Sequence, residues 1–278
     1  MSFRDDDLTR LAVDGMPDLP AADNAGFVDT NGARIWYAQF GSGPAVVLLH
    51  GGLGNAGNWA YQVPALRTAG FGVIAIDSRG HGRSTRDHQP FSYRLMASDV
   101  RAVMDSLAVA KAAIVGWSDG ADTGLVLAET SPDRVAGLFF FACNVDASGT
   151  KPFEFTPIVE RIFNRHKQDH ARLSATPDAF ESLSEAVGLM QRTQPEYSAA
   201  ELTRIDVPVT VAIGEHDEFI ERKHMEYLAN TLPRAKLVVL DEVSHFAPLQ
   251  RPELFTAAVQ AFLRDLAGWA GSGGSAAR

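Results

Sequence analysis

Gly116-Trp117-Ser118-Asp119-Gly120 sets a serine between two glycines, with the apolar run AAIVG before it and the helix-like ADTGLVLAE after it. That spacing predicts a strand–turn–helix junction with an exposed hydroxyl near a helix N-terminus, where partial positive charge favours a developing anion. A serine hydroxyl is a weak nucleophile until a base takes its proton. His245, in EVSHFAPL after the apolar run KLVVLD, is the candidate base. Asp217, in GEHDEFI, is the candidate for holding the imidazole in one tautomer and stabilising its charged form. Glu215 and Glu218 compete for that role, and Asp217 is preferred for its strand-end position with the apolar pair Phe219-Ile220 behind it. An oxyanion forming on a substrate carbonyl would need N–H donors. The backbone of Asp119 supplies one, and His50-Gly51-Gly52-Leu53-Gly54 the other, with Gly52 preferred and Leu53 as alternative. His50 itself reads as a structural hydrogen-bonding residue.

The remaining reactive side chains carry blander expectations. His88, His166, His170 and His224 fall in polar stretches expected to be exposed, and His216 flanks the acid. No His or carboxylate pair recurs at ligand spacing, so neither a metal nor another cofactor is expected. Cys143, the chain's single cysteine, is expected to be buried at a strand end. Having no partner for an internal disulfide, it fits a reducing compartment, and a cytoplasmic location is expected.

Positioning such residues takes a rigid frame. A hairpin is predicted at Asn31-Gly32, followed by the runs AVVLLH, GVIAID, AAIVGW, VAGLFFFA, PVTVAIG and KLVVLD. Each is short, apolar and expected to be a strand buried on both faces, with helical patterns such as YRLMASDVRAVMDSLAV between most of them. The alternation implies an α/β fold with a mostly parallel sheet and helices on both faces. It divides the chain into a loose N-terminal arm (1–24), a core (25–145 and 205–268), a helical lid (146–204) and a flexible tail (269–278). Within the lid, Phe180, Leu183, Val187 and Met190 share a helix face, and Thr176-Pro177-Asp178 reads as that helix's capped start. Phe153, Phe155, Phe163 and Met190 could line an apolar pocket or form the lid's own core.

The net charge of −9 disfavours a nucleic-acid surface, and no apolar run is long enough for a membrane span. The start MSFRDDDLTR lacks the apolar stretch of a secretory signal. Whether the chain is a monomer or a homodimer stays open.

Over about residues 27 to 267 the chain resembles the α/β-hydrolase family, on HGGLG, Asp77-Ser78-Arg79-Gly80-His81-Gly82-Arg83-Ser84, GWSDG, GEHDEFI and the SHF segment. The resemblance implies an eight-stranded sheet and the chain order Ser, Asp, His for the three catalytic residues. It also implies a structural turn at 77–84, with no catalytic role for Asp77 or Arg79. GWSDG with a short helical lid looks like the valacyclovir-hydrolase (biphenyl-hydrolase-like) subgroup, which implies that the carboxylate of Asp119 binds the ammonium of an α-amino acid ester, beside Trp117. Ala121 departs from that pattern, where a second glycine is common. Asp119 could instead turn away and stabilise the first turn of its helix.

The expected function is therefore a cofactor-free serine hydrolase of small carboxylic esters or lactones, working through an acyl-enzyme. A C–C bond hydrolase of ring-fission products reuses the same residues. Epoxide hydrolases and haloalkane dehalogenases of this resemblance need a carboxylate where Ser118 stands. A lyase, a perhydrolase or a non-catalytic ligand receptor would also fit the fold, which alone does not settle function.

Overall fold

The structure is a computed structural model and describes residues 6–266. The expected tail, 269–278, lies outside the described residues. The strands are β1 (Asn24–Thr30), β2 (Ala33–Phe40), β3 (Ala45–Leu49), β4 (Gly72–Ile76), β5 (Ala112–Trp117), β6 (Val135–Phe141), β7 (Val209–Gly214) and β8 (Ala235–Leu240). The helices are α1 (Asp6–Asp14), α2 (Gln62–Thr68), α3 (Tyr93–Ser106), α4 (Asp119–Thr130), α5 (Pro157–Leu173), α6 (Phe180–Thr193), α7 (Ala199–Leu202), α8 (Arg222–Thr231), α9 (Ala247–Gln250) and α10 (Pro252–Asp265).

One eight-stranded sheet runs in the order β1-β2-β4-β3-β5-β6-β7-β8. β1 and β2 form the expected hairpin, with Asn31 (φ 44°) and Gly32 (φ 80°) both left-handed, as a tight two-residue turn requires. β2 meets β4 antiparallel, and every pairing from β4 through β3, β5, β6 and β7 to β8 is parallel. The central strands are buried on both faces because alternate side chains feed two cores. Val47, Leu49, Ile114 and Phe140 pack with α3, α4 and α8, while Val46, Leu48, Val115 and Phe139 pack with α2 and α10.

Two expectations about the core need correction, and a third about the insertion. KLVVLD is not buried on both faces: β8 is an edge strand with one neighbour, and most of its residues stay partly exposed. The segment before residue 24 is not without structure. Residues 6–14 form α1, whose Leu8 and Leu11 are 0% and 4% exposed and belong to the same core as Phe40 and Trp59. Two leucines three apart suffice to anchor one helical face even in an acidic segment.

Between β6 and β7 the chain leaves the sheet and forms α5, α6 and α7. Phe180, Leu183, Val187 and Met190 are buried, as their shared helical face predicts. Thr176 makes no side-chain cap; a short 3-10 turn at Pro177–Ala179 leads into α6 instead. This insertion stands over the C-terminal ends of β3, β5, β6 and β7, where open α/β sheets hold their ligands.

Candidate active site

Ser118 follows β5 directly and precedes α4, with φ 54° and ψ −125°, a strained conformation for a residue with a side chain. Its N–H donates to the carbonyl of Phe141 (2.8 Å), and its own carbonyl accepts from Ala121 N (2.6 Å). The two flanking glycines make the turn sterically possible. A Cβ on Gly116 would collide with the backbone of Gly120 and Ala121, and one on Gly120 with the backbone of Leu49 and His50. Asp119 opens α4, so its N–H is one of the first-turn donors without an intrahelical acceptor.

The turn Gly51–Gly54, closed by Gly54 N donating to Gly51 O (3.1 Å), lies against this elbow. Leu53 takes φ 63° within it. A Cβ on Gly51 would sit 3.2 Å from the Ser118 Cβ, and one on Gly52 would sit 2.7 Å from both Asp119 Oδ2 and Gln191 Nε2. A side chain at Gly51 would crowd the serine, and one at Gly52 would push against the ends of Asp119 and Gln191. His50 has the structural role expected of it: its Nε2 accepts from Ser78 N (3.0 Å) and its Nδ1 faces Gly51 O (2.7 Å). The 77–84 turn is likewise structural, with Arg79 held bidentately by Asp99, and with Asp77 accepting from Ala56 N and Arg83 N.

Asp217 follows β7, and His245 lies between β8 and α9. Asp217 Oδ1 accepts from the N–H groups of Phe219 (2.9 Å) and Ile220 (2.8 Å), leaving Oδ2 for His245 Nδ1 at 2.9 Å. A proton on Nδ1 leaves Nε2 as the acceptor. The rival acids are occupied elsewhere, since Glu218 Oε2 accepts from His245 N and Glu215 Oε2 from Glu242 N. Burial alone would depress the His245 pKa, but the carboxylates of Asp217, Glu218 and Asp119 together outweigh it and hold it above its ordinary value.

Ser118, His245, Gly52, Leu53, Asp119 and Trp117 all line one cavity of about 870 Å³ under the insertion. Asp119 is 5% exposed; Tyr93 Oη donates to its Oδ1 (2.9 Å), and Gln191 Nε2 donates to both oxygens (3.1 and 3.2 Å). Burial raises its pKa, against the pull of those two hydrogen bonds. Asp119 thus sits in the cavity wall with its carboxylate held by Tyr93 and Gln191. Trp117 is 2% exposed, and its indole packs edge-on to Trp59 and Phe246. Cys143 is buried as expected, its thiol donating to Asp122 Oδ2 (3.0 Å) and pushed well up in pKa by burial.

Three histidines depart from expectation. His166, His170 and His224 are buried, whereas His88 and His216 are exposed. His224 Nε2 accepts from Val145 N (3.0 Å). His166 lines the cavity, and burial brings its pKa down to about 4, partly countered by the Asp169 carboxylate and by a hydrogen bond to the Gly52 backbone. Polar neighbours such as Lys167, Gln168 and Lys223 are exposed while Asp169 is buried beside His170, since a helix can bury one position and expose the next. Sequence reasoning also passes over Tyr93, Gln191 and Lys151, whose Nζ donates to the Asp217 carbonyl (2.6 Å). Among the described residues no group of three or more His, Cys, Asp or Glu side chains could hold a metal ion, and no helix is long and apolar enough to cross a membrane.

Known proteins share this arrangement of chain. Epoxide hydrolase B of Mycobacterium tuberculosis is 38% identical over 121 residues, covering 43% of this chain and about a third (34%) of that protein's length. The dihydrolipoyllysine-residue acetyltransferase component of the acetoin cleaving system of Cupriavidus necator is 28% identical over 262 residues, covering 85% and 68%. Among solved structures, Est816, an N-acyl homoserine lactone degrading enzyme, superposes with a TM-score of 0.67 at 28% identity, covering 85% of this chain and 100% of that one. A family model described as alpha/beta hydrolase fold matches residues 44–252. With that match spanning the elbow, the acid and the histidine on an eight-stranded sheet, the chain belongs to the α/β-hydrolase family.

Proposed function

We propose that the protein is a serine hydrolase of small carboxylic esters or lactones, with Ser118 as nucleophile, His245 as base and Asp217 as its orienting acid. The observation that carries this reading is the pairing of a strained Ser118 with a His245–Asp217 hydrogen bond of 2.9 Å on one cavity. In the proposed cycle Ser118 Oγ attacks the carbonyl carbon as its proton passes to His245 Nε2. The N–H groups of Asp119 and Gly52, with Leu53 as alternative to Gly52, hold the oxyanion. His245 then protonates the leaving alcohol, and water repeats the sequence on the acyl-enzyme to release the acid.

A serine at this position forms an acyl ester that water can cleave, which separates the proposed chemistry from the alkyl-ester route of epoxide opening. The degradation of acyl lactones by Est816 agrees in reaction class. The buried Asp119 carboxylate supports a preference for an α-amino acid ester, in line with the subgroup resemblance. An ammonium there would take the place of the Gln191 amide and offset the carboxylate's repulsion of the oxyanion beside it.

The test is a steady-state assay on two esters of one alcohol, one bearing a free α-ammonium and one neutral, with Ser118→Ala as control. Turnover abolished by the substitution is the expected result. A wild type inert on both, or a control that still turns over, overturns the reading; cleavage of a dienoate ring-fission product instead would identify a C–C hydrolase.

A further inference from the structure

Aromatic rings run through the cavity in a line that begins at His245. The Phe219 ring stands edge-on to the imidazole with centroids 4.8 Å apart. Phe153 lies parallel to Phe219 at 6.1 Å, Phe155 follows at 6.2 Å, and Phe163 lies 6.0 Å beyond. All four line the cavity, yet Phe153 and Phe155 remain 69% and 56% exposed. Rings this open to water add little to the protein's own core. The cavity wall also has a polar part: the Asp119 carboxylate lies against Gly52, with Tyr93 and Gln191 bonded to it.

Resting on the serine-hydrolase reading above, we infer that the phenylalanine run is the seat of the leaving alcohol, and that this alcohol carries an arylalkyl group. The proton's path fixes the direction. In the tetrahedral intermediate only the leaving oxygen receives a proton from His245 Nε2, so that oxygen lies at the imidazole. The group it carries then continues along the rings that start there. The oxyanion occupies the Gly52 and Asp119 N–H groups, which leaves the acyl substituent the one direction away from both the imidazole and those donors. The bond between Ser118 Oγ and the carbonyl carbon forms as the hydroxyl proton moves to Nε2. The bond to the alcohol oxygen breaks as that proton moves on, giving an arylalkyl alcohol and, after water attacks, a carboxylic acid. An aryl group laid on Phe153 and Phe155 removes apolar surface from water and adds ring–ring contact, whereas a methyl group reaches neither.

The experiment compares two ester series in wild type, Phe153→Ala and Phe155→Ala. One series keeps the acid and varies the alcohol from methyl to benzyl; the other keeps methanol and varies the acid from acetyl to phenylacetyl. The expected result is a wild-type preference for benzyl over methyl in kcat/KM that shrinks by about tenfold in each variant, carried mainly by KM. The acyl-series ratio should shift far less. A fall confined to the acyl series would assign the run to the acid and overturn the inference, as would two ratios that do not move. Inert wild type on every ester would instead remove the serine-esterase reading. Direct binding of 2-naphthylmethanol to Ser118→Ala, followed by the alcohol's own fluorescence, then decides the seat without turnover: affinity lost with Phe153→Ala supports it, and unchanged affinity overturns it.

Discussion

At the residue scale, the environment of His245 makes a signed prediction. The imidazole is active as a base only when neutral, and its pKa is raised because three carboxylates outweigh burial. The acid limb of kcat/KM should therefore lie above the ordinary imidazole value of about 6.5. Asp217→Asn removes the carboxylate that contributes most to that rise, so the limb should move to lower pH. The same change should cost on the order of 10⁴-fold in kcat, because an amide no longer fixes the tautomer. A pH–rate profile of both proteins checks this, and a limb that stays in place would unseat Asp217 in favour of Glu218. Asp119 makes a second, independent prediction. Asp119→Asn keeps the shape and one acceptor oxygen for Tyr93 and Gln191 but removes the charge, so an α-ammonium ester should lose at least about tenfold more in kcat/KM than its neutral counterpart. Equal losses on the two esters would leave Asp119 with its N–H group as its only role.

At the scale of elements, the junction between β5, α4 and β3 tolerates no added atoms. Gly116→Ala and Gly120→Ala each place a methyl group inside contact distance of backbone that cannot swing aside. Each should destabilise the fold by roughly 1–3 kcal/mol or more, read as a lower urea midpoint, and should distort Ser118 besides. Gly70→Ala is the comparison, since its position is open and only its positive φ resists a side chain. That junction was legible in the sequence because its residues are neighbours, and a turn this tight between strand and helix has room only for glycine on either side of the serine. The strands were legible too, as short apolar runs punctuated by turns, but not their order in the sheet. The contacts of the insertion were not. Gln191 reaches Asp119 across 72 residues and His166 reaches the Gly51–Gly54 turn from α5, and nothing in local composition records a contact formed only when helices pack on a sheet end. α1 is hidden in the sequence because its charges dominate the composition, while two buried leucines decide its fate.

At the scale of the molecule, the insertion, the 77–84 turn and the Gly51–Gly54 turn meet around neutral imidazoles. His50 and His81 have ring centroids 5.3 Å apart, and His81 is flanked on its other side by Phe91. Burial lowers His50 to about 4, His81 to about 3 and His166 to about 4. Each such group binds a proton more readily unfolded than folded. The stability it contributes is thus complete above about pH 6.5 and declines as pH falls toward its folded value, by roughly 1.4 kcal/mol per pH unit for each fully titrating histidine. Other groups work in the opposite sense. His245 and the buried carboxyls of Asp77, Asp99, Asp119 and Asp122 have raised pKa values, so the folded state holds their protons more readily and they stabilise it as pH drops. Wild-type stability alone therefore mixes the two, and the informative quantity is a difference. His81→Gln keeps a side-chain donor for the Arg79 carbonyl, which now faces His81 Nδ1 at 2.8 Å, but cannot titrate. Its unfolding free energy relative to wild type should rise steadily from pH 6.5 down to about 4 and stay flat above neutrality. Urea unfolding at half-unit pH steps measures it. A difference that is constant with pH would show that His81 is not held neutral by burial.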